Sequence, residues 1–329
     1  MDLAIQTDRA SDRRIVDVCT QFYELNVSKT EIANSLNISI THVNRLLKEA
    51  QERGIVKVTI QPPRFENLES QIIHKFALRD VRVVEAGDNR ELLRSELGRV
   101  AATYFERLAD NEAQVGVSSG RTIFEMASFV SERPRKLSIF PLNVILERDP
   151  VVRSLSANTV ATILWFKARP LATARRVEMF FPNGGLASLR KRSREILEAK
   201  AVKELGEHIK NLDAYFVGAG ELREGSQVHL LSRVCGIELS GLAEMGVVGD
   251  VTFNMLDAKG SPVRVGIEDL MFRVEAEHLR AAAASARKAV VLVAGGHEKI
   301  PCIRAALMAR TCNVLVTDSD TAQGLLDTA

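Results

Sequence analysis

The chain has 329 residues, 46% of them apolar, and 44 basic side chains against 42 acidic ones leave a net charge of +2. That length and apolar content suit two globular domains with a sizeable core and exclude a disordered protein. Near charge balance excludes any bulk electrostatic argument for nucleic acid or membrane, so such a role must come from local geometry.

In chain order, the opening MDLAIQTDRASDRR lacks a basic start followed by an apolar stretch, so a soluble, cytoplasmic protein is expected. From about Asp12 to Leu25, Ile15, Val18, Cys19, Phe22 and Leu25 recur with helical period and predict a core-facing helix. Ser28 followed by Glu31 is a capping-box pattern that opens a second helix, with Ile32, Ala33 and Leu36 pointing inward. Asn37 turns the chain, and Ser39 caps a third helix whose Val43, Leu46, Leu47 and Ala50 are buried and which stops at Gly54. IVKVTI then alternates like a strand, and Pro62 and Pro63 mark a boundary between a domain at 1–62 and one at 63–329.

Helix, tight turn, helix is the geometry that lays a second helix into the DNA major groove. The solvent face of the third helix would carry Thr41, His42, Asn44, Arg45 and Lys48, with Ser39 at its start. Arg45 suits guanine O6 and N7, Asn44 suits adenine, and Ser39, Thr41 and Lys48 suit phosphates or base edges. The plain alternative is a small three-helix bundle with a solvated polar face. One such module makes few contacts, so operator binding implies a homodimer or homotetramer presenting two readers.

Beyond the prolines, Leu68, Ile72, Ile73 and Phe76 predict an amphipathic helix serving as a connector or a subunit contact. The stretches VRVVEAG, AQVGVSSG, LSIFPLNV, AYFVGAG, AVVLVAGG and NVLVTD then alternate with helical segments. Apolar strands separated by helices predict a parallel sheet covered on both faces, a doubly wound α/β domain. Near Trp165 the apolar run is cut by Lys167 and Arg169, and no run approaches the ~18 residues a spanning helix needs. No membrane partner is expected.

In VGVSSGRTIFEMA a strand passes through a Gly-containing turn into a helix, which can offer backbone N–H groups to an anion. Ser118, Ser119, Gly120, Arg121 and Thr122 are the candidates there. A plain strand-to-helix turn needs the same residues, so phosphate binding and simple chain reversal both remain open. The loops VGAGELREG and AGGHEK also follow strands, and in open α/β sheets such loops converge on a ligand crevice. That makes Lys299 a candidate anchor, with an exposed helix residue as the alternative. Asp250 can accept from sugar hydroxyls, whereas Asp257, in an Asp-x-x-Gly turn, reads as structural. Cys19, Cys235, Cys302 and Cys312 form no C-x-x-C pair or metal-ligand spacing, so reduced thiols, no metal and no cofactor are expected.

EIANSLNISITHVNRLLKEAQERGIVKVTI, VGVSSGRTIFEM, GVVGDVTFNMLDAKG, VVLVAGGHEKIPCIRAAL and NVLVTDSDTAQGLL, in that order, resemble the SorC-type (SorC/DeoR) sugar-responsive bacterial transcription regulators. The resemblance implies a helix-turn-helix domain joined to an effector domain like those of sugar-phosphate isomerases and CoA transferases. It implies that a sugar or phosphosugar alters operator binding, with Ser119, Gly120, Arg121 and Thr122 holding a phosphate, Lys299 contacting the anionic group and Asp250 near the sugar. The chain departs from the family in carrying Ser119 where many members have an aromatic residue, Asn143 and Val144 near a glycine pair, and Phe181-Pro182 near an Ala-Pro step. The competing function is an isomerase-like enzyme with a DNA-binding appendage, for which Asp250 and Lys299 are the one nominable acid–base pair; no catalytic residue is expected.

Overall fold

The computed structural model describes residues 12–56, 65–109, 112–144, 154–175, 186–234 and 236–327. The chain divides into two compact units, 1–62 and 63–329. The boundary prolines, the strand expected over residues 57–60, Cys235 and Phe181-Pro182 lie outside the described residues.

In the first unit the capping box is complete: Ser28 Oγ accepts from Glu31 N–H at 3.2 Å, and Glu31 Oε2 accepts from Ser28 N–H at 3.0 Å. These bonds satisfy orphan donors at the start of the Lys29–Ser35 helix. Asn37 adopts φ 51° and turns the chain toward the Ile40–Glu52 helix, whose Val43, Leu46, Leu47 and Ala50 pack with Ile15, Val18, Cys19, Ile32 and Ala33. Leu25 corrects the sequence reading, being 64% exposed. The cause is a π-helical turn over Thr20–Glu24, closed by Leu25 N–H donating to Thr20 O at 3.0 Å; its extra residue rotates Leu25 off the buried face.

The second unit is built on a parallel sheet of seven strands. Its members are β1 (Asp80–Val84), β2 (Gln114–Val117), β3 (Ser138–Pro141), β5 (Thr173–Ala174), β6 (Ala214–Val217), β11 (Ala289–Val293) and β12 (Val314–Asp318). They lie in the order β1-β12-β11-β6-β2-β3-β5. Successive residues face opposite cores, so Tyr215 and Val217 join one apolar cluster and Ala214 and Phe216 the other. Both faces are therefore apolar, which explains the unbroken hydrophobic runs. The short β5 carried no pattern long enough to predict.

The remaining strands stand apart: β4 (Asn143–Val144) pairs with β10 (Phe272–Arg273), and β7 (Ala219–Glu221), β8 (Val247–Val251) and β9 (Asn254–Asp257) form an antiparallel sheet. Thr252 and Phe253, both at positive φ, turn β8 into β9. Asp257 is the turn residue expected, its Oδ1 accepting from Lys259 and Ser261 N–H. The Glu66–Phe76 helix packs on the second unit, with Ile72 fully buried in its core and Leu68, Ile73 and Phe76 partly buried against it. Cys19, Cys302 and Cys312 are buried free thiols, and burial pushes the last two up to about 12. Among the described residues no helix is long and apolar enough to cross a membrane.

Candidate functional site

On the Ile40–Glu52 helix, Thr41, Asn44, Arg45 and Lys48 are exposed and His42 is half-buried, away from the Val43/Leu46/Leu47 stripe. Arg45 donates to His42 Nε2 at 3.2 Å, which steers the guanidinium along the helix. Lys48 pairs with Glu52 at 3.6 Å, but both side chains are largely exposed, so the pair holds Lys48 weakly. Ser39 is engaged first as a cap, its Oγ accepting from His42 N–H at 3.1 Å.

The order of the strands in the second unit's sheet reverses at β2. The chain leaves β2 for β3 on one side, while β6 pairs on the other. Ligands of open α/β sheets sit beyond the carboxyl ends of strands at such a switch point. There the turns after β2, β6 and β11 enclose a crevice of about 380 Å³ lined by Ser119, Gly120, Arg121, Thr122, Asp250 and Lys299. Six of the seven predicted effector residues therefore meet, from segments far apart in sequence.

Ser118 is the exception. Its side chain is buried behind the loop, where Oγ accepts from Gly218 N–H at 3.3 Å and donates to Ser119 O at 3.2 Å, tying the β2 and β6 turns together. The donor role expected of the turn's backbone also changes. Ser119 N–H donates to Asn143 Oδ1 at 3.0 Å and Gly120 N–H to Leu155 O at 3.0 Å. Gly120 contributes shape instead, adopting φ +127°, where a side chain would be strained. The donors left at this end of the Arg121–Phe129 helix are the first-turn amides of Arg121 and Thr122.

Lys299 is half of an ion pair. Its Nζ donates to Ala219 O at 3.0 Å and lies 3.5 Å from Glu221 Oε2, so much of its charge is met within the protein. Burial raises the Glu221 carboxyl, but Lys299 and Arg223 outweigh that and hold it below its ordinary value. Lys299, Glu221 and Asp250 thus form a cluster of acceptors and donors suited to hydroxyl groups rather than a free cation.

Sequence reasoning missed one cation of the crevice. Arg94 lines the crevice with Arg121, and among the described residues neither has a carboxylate within ion-pair distance. Burial and then the charge of Arg121 push Arg94 below the ordinary arginine value, while Glu125, Glu91 and Glu221 act in the opposite direction. Two other lining residues hold unused polar atoms: Gln227 Nε2 and Thr252 Oγ1 are buried without a hydrogen-bond partner. Gln227 Oε1 accepts from Ser119 Oγ, which itself accepts from Asn143 Nδ2, both at 3.2 Å. This polar chain runs through Ser119 and Asn143.

Asp250 is buried, and its Oδ2 accepts from Phe253 N–H at 2.5 Å. Burial pushes its pKa up to about 7, more than the Phe253 bond and Lys299 lower it. The folded state therefore keeps this proton when the unfolded chain has released it. Stability from this group is fully present below about pH 4 and is lost as pH rises to about 7. Asp250→Asn keeps the acceptor for Phe253 and flattens that part of the curve, as unfolding midpoints between pH 4 and 8 will show. An unchanged slope would mean Asp250 ionises normally.

A family model described as "Putative sugar-binding domain" matches residues 64–327. The chain belongs to this family. Within the sugar-binding-domain family it is similar over its full length to the deoxyribonucleoside regulator of Bacillus subtilis (strain 168), at 27% identity over 97% of this chain and 99% of that protein. It is likewise similar to the sorbitol operon regulator of Klebsiella pneumoniae, at 28% identity over 95% and 98%. The crystal structure of full-length SorC from Klebsiella pneumoniae superposes with a TM-score of 0.75, at 26% identity over 96% of this chain and 98% of that one. The SorC-type resemblance and the α/β architecture hold, and the chain is a ligand-responsive transcriptional regulator of this type.

Proposed function

We propose that the Ile40–Glu52 helix reads operator DNA and that the crevice at the β2/β6 switch point binds a sugar or phosphosugar effector that changes operator affinity. The observation that carries the reading is the pairing of Arg94 with Arg121. Arg121 disfavours the Arg94 charge, and among the described residues neither guanidinium has a carboxylate within ion-pair distance, so their arrangement favours an anion supplied from outside. Gln227 and Thr252 line the same crevice, and the Lys299–Glu221–Asp250 cluster suits sugar hydroxyls. The anionic group of the ligand then belongs at Arg94, Arg121 and the Arg121–Thr122 amides, with Lys299 on the hydroxyl side. Lys299 and Asp250 are engaged with Ala219 O and Phe253 N–H, which favours binding over acid–base chemistry.

Operator affinity requires at least a homodimer, since one reader makes few contacts. The effector shifts the DNA-competent population only by binding it differently from the alternative state. Thermal unfolding against a panel of phosphorylated and free sugars tests the effector half. A ligand at about 100 times its Kd adds roughly 2.7 kcal/mol, and no shift from any compound would count against a sugar effector.

The DNA half is tested at Arg45. Arg45→Ala lowers affinity for the selected operator by about 1–3 kcal/mol and relaxes preference at one guanine position. Equal loss on operator and random duplex, measured by fluorescence anisotropy, would make Arg45 a phosphate contact instead.

A further inference from the structure

We propose that Ile40 reads a thymine, packing on its 5-methyl group beside the base contacted by Asn44. The assignment rests on the DNA-binding reading above. Ile40 is the first residue of the Ile40–Glu52 helix and is 46% exposed. Among the described residues it is the one large apolar side chain exposed on that helix.

Among the described residues Ile40 joins no core cluster. The apolar bracket around the Ser39 cap is formed by Ile38 and Val43, the residues before the cap and one turn into the helix, and both belong to the first unit's core cluster or its edge. Ile40 is in neither. As a β-branched residue it also adds nothing to helix propensity. An exposed isoleucine that serves neither core nor helix fits a surface that becomes covered on binding.

Its surroundings specify what covers it. Ile40, Asn44 and Lys48 recur at four-residue spacing and share one face, flanked by Thr41 and Arg45. The amino-terminal residues of a recognition helix are the ones that reach base edges. In the major groove the one apolar feature a base pair offers is the thymine methyl, while Asn and Arg have adenine and guanine as partners. Side chains four apart on a helix begin about 5–6 Å from each other, and base pairs rise about 3.4 Å, so this thymine falls within about two steps of the base read by Asn44.

The test begins with full-length wild-type protein and a random DNA duplex library, from which the bound sequence is selected. Each thymine of that sequence is then replaced singly by deoxyuridine, which removes only the methyl group. One thymine in each half-site is expected to lose about fourfold in affinity, the effect of one buried methyl-sized group. Ile40→Ala binds the thymine and deoxyuridine duplexes equally, and Ile40→Val, which retains a branched side chain, keeps part of the difference.

No thymine sensitive to demethylation overturns the assignment, as does full discrimination by Ile40→Ala. Altered subunit association of Ile40→Ala with thymine discrimination intact also overturns it, in favour of a protein contact. Failure to enrich any sequence overturns the DNA-binding reading itself, and this assignment with it.

Discussion

Arg94→Ala and Arg121→Ala each weaken binding of the phosphorylated sugar that gives the largest thermal shift by about 2 kcal/mol, or roughly thirtyfold, the loss of a charge-assisted hydrogen bond. Neither variant destabilises the ligand-free protein, and Arg94→Ala can raise its unfolding midpoint. The sign follows from the site: burial and Arg121 both disfavour the Arg94 charge, and no ion pair is broken by removing it. Calorimetric titration and ligand-free thermal unfolding measure the two effects separately. Unchanged affinity would move the anion elsewhere in the crevice. A large drop in ligand-free stability would instead make Arg94 a structural residue. A non-phosphorylated analogue should lose little affinity in either variant, which separates charge recognition from general damage to the pocket.

Gly249→Ala destabilises the second unit by about 3 kcal/mol, at the upper end for overpacking in a close-packed interior. Gly249 lies in β8 against the Ile300–Met308 helix. A Cβ there would come within 2.5 Å of Gly220 O and 3.3 Å of Cys302 Cα, besides overlapping Cys302 Cβ. The obstruction includes backbone, so rotamer changes cannot relieve it. The helix must move away from the sheet, and Lys299 at its start moves with it. Effector affinity should therefore fall together with stability. Gly87→Ala is the matched control: nothing lies within 4 Å of its added Cβ, and the change should stay within about 0.5 kcal/mol. Urea unfolding of both variants decides the matter, and equal midpoints would mean that β8 and the helix have room between them.

Much of the fold was legible because its signals are local. The Ser28–Glu31 capping box, the Ser39 cap and the Val43/Leu46/Leu47/Ala50 stripe each lie within a few residues, and helix formation uses those same neighbours. The apolar strands announced a sheet buried on both faces, and the Ser119–Thr122 turn announced the end of one of them. Leu25 escaped this reading since a single π-turn, invisible in hydrophobic spacing, rotates all that follows it. The effector site was legible in part. Nothing in RELLRSELGRV separates Arg94 from Arg90 or Arg99, because periodicity cannot say which turn of that helix passes the sheet's carboxyl edge. In the folded chain Arg90 pairs with Glu298, Arg99 pairs with Glu96, and Arg94 is left facing Arg121's charge. Lys299 stood out as a cation in the sequence, yet β7 brings Glu221 to it and changes what it can bind. Composition and local pattern by themselves determined the elements, the two-part organisation and the turn that would border a crevice. Only tertiary structure decided which charges remain unpaired there, because pairing depends on distances between segments that sequence spacing does not encode.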